Sequence, residues 1–210
     1  MIPPVPPARP YEPMVHLVDD EAPVRDALAF LFQSHGLAVR TYSSGPEFLA
    51  AADDEPIAGC VLLDVRMEPM SGLQVHDALV ARGCGVPVLF LTGHGDIPMA
   101  VEALKKGAFD FIEKPSGDVA LVERVQRALA VDAARQAADS RETETAARLA
   151  SLSEREREVM HRVAAGKLNK VIADELCISV RTVEVHRARV FGKLGVRSAA
   201  EVATLLARGR

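Results

Sequence analysis

Five short apolar runs, at 14–18, 38–42, 60–63, 86–91 and 109–113, alternate with stretches of helical spacing, and nothing else in the 210 residues constrains the fold as strongly. Uninterrupted runs such as Cys60-Val61-Leu62-Leu63 and Val86-Pro87-Val88-Leu89-Phe90-Leu91 suit strands buried on both faces. Between them, 22–34 and 72–82 repeat their apolar residues at helical intervals. Strand and helix in regular alternation predict an α/β fold, a doubly wound five-stranded parallel sheet.

Open parallel sheets place their sites in the crevice outside the carboxyl ends of the strands, so the residues ending each run matter most. The first run leads into Asp19-Asp20, the third into Asp64, the fourth into Thr92 and the last into Lys114-Pro115. Three carboxylates in one crevice repel one another unless a cation joins them. An all-oxygen set suits Mg2+ (or Mn2+), which keeps part of its water. With such an ion bound, Asp64 can act as nucleophile toward a phosphoryl group, Lys114 can neutralise the transferred oxygens and Thr92 can donate a hydrogen bond to one of them.

These groups, with 44 residues from Asp20 to Asp64 and 22 from Thr92 to Lys114, resemble the receiver domain of two-component response regulators. The resemblance implies that Asp64 is the phosphoacceptor and that Asp19, Asp20, Asp64 and the carbonyl of Arg66 hold the metal. It further implies that Thr92 and Phe111 are the switch pair, Lys114 the phosphate contact and the bond to Pro115 cis. Two departures stand out: Met67-Glu68-Pro69 replaces the usual Met-Pro, and Ser116 replaces an aromatic. Neither removes a reacting atom, although Glu68 adds a negative charge near the expected metal.

After Asp118 helical composition continues through a stretch rich in Ala, Arg, Glu and Gln. We read the receiver as ending at 131 and a helical linker as spanning 132–150. From 151 to 210 there are no strand-like runs, only four helical stretches at 154–165, 169–176, 180–193 and 199–207, punctuated by Gly166 and Gly195. Ser153 with Glu156 makes a capping box and Ser179 is a cap. The 169–176 and 180–193 pair is helix, turn, helix, and its second member is long enough for a major groove.

The strings Leu152-Ser153-Glu154-Arg155-Glu156, Asn169-Lys170-Val171-Ile172-Ala173 and Ser179-Val180-Arg181-Thr182-Val183-Glu184-Val185-His186 are similar to the LuxR-type output domain. Receiver plus this domain defines the FixJ/NarL group, covering about 14–206. Val183, Val190 and Leu194 share a stripe that must face the core, which turns Arg181, Glu184, Val185 and Ala188 outward toward base edges. Lys170, Thr182, Arg189 and Lys193 are placed for phosphates. His186 is either a phosphate contact or a partly buried structural histidine, and Arg187 borders the core stripe without an assignment.

Charge agrees with this division. Residues 151–210 hold 12 Lys/Arg and 7 Asp/Glu, a net +5 against −4 for the whole chain, which leaves −9 on residues 1–150. Only the C-terminal part is suited to nucleic acid. Met1 to Pro13 hold six prolines and no signal-peptide pattern, so 1–13 read as a disordered, polyproline-like tail. Cys60, Cys84 and Cys177 lie far apart among apolar neighbours and read as reduced, buried thiols. With no membrane-length apolar window, the expectation is a cytoplasmic regulator. The resemblance implies a histidine kinase, double-stranded promoter DNA and RNA polymerase as partners, and a homodimer on phosphorylation through the face around 97–111. It implies no enzymatic role beyond Mg-dependent self-phosphorylation and self-dephosphorylation. A covalent hydrolase is the rival reading, weakened because Arg66 stands where its second carboxylate belongs; a receiver that never meets phosphate is another.

Overall fold

A computed structural model describes residues 12–93, 97–114 and 117–208. Most of the expected tail, and the bond between Lys114 and Pro115, therefore lie outside the described residues. Contacts divide the chain into two compact units, Met1–Gln136 and Ala137–Arg210.

In the first unit β1 (Met14–Val18), β2 (Ala38–Tyr42), β3 (Gly59–Asp64), β4 (Val88–Thr92) and β5 (Asp110–Glu113) form one parallel sheet in the order β2-β1-β3-β4-β5. The helices α1 (Ala22–Ser34), α2 (Gly45–Asp54), α3 (Gly72–Ala81), α4 (Ile97–Lys105) and the start of α5 (Asp118–Ala150) connect and follow the strands. The expected fold is the one observed. The fourth strand starts at Val88 rather than 86, consistent with Pro87 having no N–H for the ladder.

Alternation along β3 explains how the sheet is covered on both sides. Val61 and Leu63 join Phe48, Val75, Leu79 and Phe90 in one apolar cluster, with α2 and α3. Cys60 and Leu62 join Phe32, Leu121, Val125 and Ala128 in the other, with α1 and α5. Burial raises the Cys60 thiol to about 12, so it stays protonated. Local chemistry fixes the helix starts: prolines sit in the first turns of α1 and α2, and Ser71 with Gln74 closes a capping box on α3. The peptide bond Glu68–Pro69 is cis.

The domain boundary differs from the one read from sequence. Asp132, expected to open a linker, is fully buried. Its Oδ2 accepts the Gly59 N–H at 2.7 Å and its Oδ1 accepts Arg135 Nη2 at 2.6 Å. It continues the apolar stripe of Leu121, Val125 and Ala128 at helical spacing, so the first unit extends to Gln136.

The second unit contains the end of α5 followed by α6 (Glu154–Ala164), α7 (Asn169–Leu176), α8 (Val180–Leu194) and α9 (Ala199–Arg208). Val159, Val163, Ile172, Ala173, Leu176 and Val183 make one cluster and Leu152, Met160, Val190, Leu194 and Val202 another; Phe191 packs against both. The expected core stripe of α8 is buried throughout. Gly195, at φ 68°, ends α8 in the left-handed conformation open to glycine. The same role at the end of α7 falls to Cys177, at φ 52°. Its thiol is exposed, contrary to the expectation of burial, because the capping residue lies outside the helix's apolar face. Among the described residues no helix is long and apolar enough to cross a membrane.

Candidate phosphoacceptor site and nucleic-acid interface

The register of the sheet assembles the acidic crevice. Leu17 pairs with Leu62 and Val18 with Leu63, so Asp19 and Asp64, one step further on, emerge side by side at the carboxyl edge. Asp64 is also opposite Leu91, and Thr92 is opposite Glu113, which brings the residue after β5 to the same edge. There Lys114 Nζ donates to Asp64 Oδ1 at 2.7 Å and to Asp19 Oδ2 at 2.9 Å. The remaining oxygens accept backbone N–H groups: Asp64 Oδ2 from Arg66 at 2.8 Å, Asp19 Oδ1 from Glu21 at 2.9 Å.

Burial pushes the Asp64 carboxyl above its usual range; Lys114 pulls against it, the Asp19 charge adds to it, and the net displacement is upward. For Lys114 burial acts downward, yet the hydrogen bonds to Asp64 and Asp19 outweigh it, so the ammonium stays charged and above the ordinary lysine range. Thr92 is buried at the end of β4, and its carbonyl accepts the Lys114 N–H at 2.6 Å. Phe111 is half-buried, its ring 6.0 Å from that of Phe90.

Of the three expected carboxylates the structure brings two together. Asp20 is exposed, at the bend that follows β1, and among the described residues no three His, Cys, Asp or Glu side chains form a metal cluster. The donor chemistry still fits a small hard cation: Asp19 and Asp64 offer converging hard oxygen donors, and Mg2+ needs few protein ligands because it retains water. The Lys114 ammonium between Asp19 and Asp64 shows that this position is built for positive charge.

In the second unit Arg181, Glu184, Val185 and Ala188 all lie exposed on one face of α8, as expected. Arg189 and, on α7, Lys170 are exposed too. Thr182 is half-buried, its hydroxyl 2.8 Å from that of Ser179, the residue that caps α8. His186 is half-buried and its Nδ1 has no hydrogen-bond partner among the described residues, which favours the structural alternative for this side chain.

Lys193 is the clear departure. Instead of pointing to a phosphate it donates to Glu156 Oε2 at 2.6 Å and to the Ser151 carbonyl at 3.0 Å, tying α8 to the start of α6. A buried carboxylate needs a cation, and Lys193 lies nearest. The Lys193 contact, with the Ser153 N–H at 2.8 Å, holds the Glu156 carboxyl down at about 2. A carboxyl held below its unfolded value stabilises the fold above about pH 4.5, and that contribution is lost as the pH falls through about 2. Glu156→Gln is therefore expected to lower stability at neutral pH by roughly 1–2 kcal/mol. The gap from wild type should close between about pH 4.5 and 2 in acid titrations followed by circular dichroism. A gap that persists to pH 2 would refute the assignment.

A carboxylate crevice bridged by lysine on a parallel sheet, joined to a helix-turn-helix unit, defines a two-domain regulator class. A family model described as the response regulator receiver domain matches residues 15–126, and one for bacterial regulatory proteins of the luxR family matches 150–206. The C4-dicarboxylate transport transcriptional regulatory protein DctR of Rhodobacter capsulatus is 51% identical over 195 residues, covering 91% of this chain and 98% of DctR. The transcriptional regulatory protein FixJ of Rhizobium meliloti (strain 1021) is 47% identical over 184 residues, 88% and 90% of the two chains. Among solved structures, the response regulator StyR matches with a TM-score of 0.87 and 38% identity, covering 94% of this chain and 99% of that one. The chain belongs to the two-component response regulators that join a receiver domain to a LuxR-type DNA-binding domain.

Proposed function

We propose that this response regulator accepts a phosphoryl group on Asp64 from a histidine kinase and that the modification shifts its dimerisation and promoter binding. The observation that carries this reading is Lys114 Nζ held between Asp64 and Asp19 beside the buried Thr92. An Asp64 carboxylate oxygen attacks phosphorus, an O–P bond forms, the N–P bond of the kinase's phosphohistidine breaks, and the imidazole leaves. Lys114 keeps its proton and moves with the developing negative charge, which costs little in a site already arranged for it. Thr92 then donates to a phosphoryl oxygen and Phe111 follows it inward. Asp64, Asp19, Asp20 and the Arg66 carbonyl are the groups that would hold Mg2+ or Mn2+, which when bound neutralises the carboxylates and the phosphoryl oxygens. Reaction with small phosphodonors and slow hydrolysis of the acyl phosphate are the only chemistry the chain needs to perform.

Dimerisation is assigned to the surface around α4 and β5, where Val101 and Leu104 are nearly half exposed. Two paired second units then meet spaced half-sites in the promoter. Arg181, Glu184, Val185 and Ala188 read base edges there, Lys170, Thr182 and Arg189 hold phosphates, and His186 supports α8 from behind. The regulator acts in the cytoplasm and passes its signal to RNA polymerase, as a transcriptional regulatory protein in the manner of DctR and FixJ. Sedimentation, with selection from a random DNA library before and after acetyl phosphate with Mg2+, tests the proposal. Conversion to dimer is expected, with an affinity rise of about tenfold for selected paired sites, mid-range for coupling free energies of roughly 1–3 kcal/mol. Equal mass and equal affinity in both states would sink it.

A further inference from the structure

Among the three helices α6, α7 and α8, α7 alone begins without a side-chain cap. Ser153 caps α6 and Ser179 caps α8, whereas the cap position of α7 is Leu168, 75% exposed and unable to accept a hydrogen bond through its side chain. The fastening comes instead from α8. Arg187 Nη1 donates to Asn169 Oδ1 at 2.8 Å, and the same guanidinium lies over the Phe191 ring, 5.4 Å from its centroid. Asn169 is the first residue of α7 and the neighbour of exposed Lys170, while Phe191 is lodged against both apolar clusters of the unit. The other end of α7 is tied as well: Arg155 Nη2 donates to the Leu176 carbonyl at 2.5 Å.

We infer that Arg187 is a positioning residue for DNA binding, fixing the start of α7, and with it Lys170, against α8 without itself contacting DNA. This rests on the reading of Lys170 as a phosphate contact. A planar guanidinium suits the task, since it stacks flat on an aromatic ring and still aims an N–H along a fixed direction, which an ammonium on a flexible stem does not do. A phosphate-contacting lysine displaced by a loose helix start loses its geometry although its charge remains.

The experiment measures binding of a random-sequence duplex at low salt by fluorescence anisotropy, so that no target promoter is needed. Lys170→Ala, Arg187→Met and Asn169→Ala are each expected to cost about tenfold and to lower the salt slope by about one, the scale of one phosphate contact. The doubles Arg187→Met with Asn169→Ala, and Arg187→Met with Lys170→Ala, should cost no more than the single variants, because all remove the same contact. A product of the two single effects, about hundredfold, would make Arg187 a DNA contact in its own right and overturn the inference. Asn169→Ala binding like wild type would overturn it too. A role confined to stabilising the unit would leave the Lys170→Ala loss undiminished in the Arg187→Met background. Should Arg187→Met fail to fold, Asn169→Ala removes the same hydrogen bond and leaves the Phe191 stack intact. The Lys170→Ala loss should then vanish in that background. Should Lys170→Ala cost nothing in wild type, the phosphate reading of Lys170 falls, while the Arg187 and Asn169 double variant still decides whether those two residues act as one.

Discussion

Incubated with acetyl phosphate and Mg2+, the wild-type chain is expected to gain one phosphoryl group by intact mass, and Asp64→Asn none. Two carboxylates share the Lys114 ammonium, but they are not equivalent. Each has both oxygens engaged, but Asp19 is fully buried, whereas the Asp64 side chain keeps an exposed edge of 11% through which a donor can approach. A carboxamide has nearly the same shape and can still accept the Arg66 N–H, so the fold survives the substitution, while a neutral amide oxygen is too weak a nucleophile for the transfer. The effect is therefore all or none rather than graded. A cooperative thermal transition in the variant separates lost chemistry from lost structure, and the dimerisation and DNA response to phosphodonor should vanish with the adduct. An adduct on Asp64→Asn would move the acceptor elsewhere. Its absence from wild type with every donor and kinase would leave a regulator controlled without phosphate.

The receiver and its crevice were legible in the sequence because both depend on short-range signals. The buried runs at 60–63 and 86–91 have no polar interruption, and in a parallel sheet the residue that ends a run has only one edge at which to emerge. That logic located Asp19, Asp64, Thr92 and Lys114. It could not separate Asp19 from Asp20: both follow β1, and the bend that leaves one buried and the other exposed has no mark in the sequence. The face of α8 was legible for the same reason, since Val183, Val190 and Leu194 fix its rotation. Pairings across long sequence separation were not legible. Nothing near Lys193 announces that Glu156 lies within 2.6 Å, and nothing near Arg187 announces Asn169. Asp132 did leave a trace, as an acidic residue on an otherwise apolar helical stripe, which marks either a break in the helix or a buried partner. It has a buried partner, the Gly59 N–H.

Gly59 carries the second large effect expected here, although no motif points to it. It opens β3 at φ 111°, a conformation that side chains rarely adopt, and it pairs with Met14 at the start of β1. A Cβ built there would stand 2.0 Å from the Met14 carbonyl oxygen and 2.5 Å from its nitrogen, both backbone atoms of the neighbouring strand. Backbone strain alone costs of order 1–3 kcal/mol. The overlap can be relieved only by parting β1 from β3, and that pairing is what sets Asp19 beside Asp64. Gly59→Ala is thus expected to destabilise the first unit by about 4 kcal/mol or more, at the exceptional end for a single substitution. Denaturant unfolding followed by circular dichroism measures it. Any folded fraction should take up less phosphoryl group, because the carboxylates it presents to Lys114 are no longer in register. A loss below about 1 kcal/mol, the range of ordinary substitutions, would show that β1 and β3 can slip apart at this end while the acidic crevice is held by Lys114 alone.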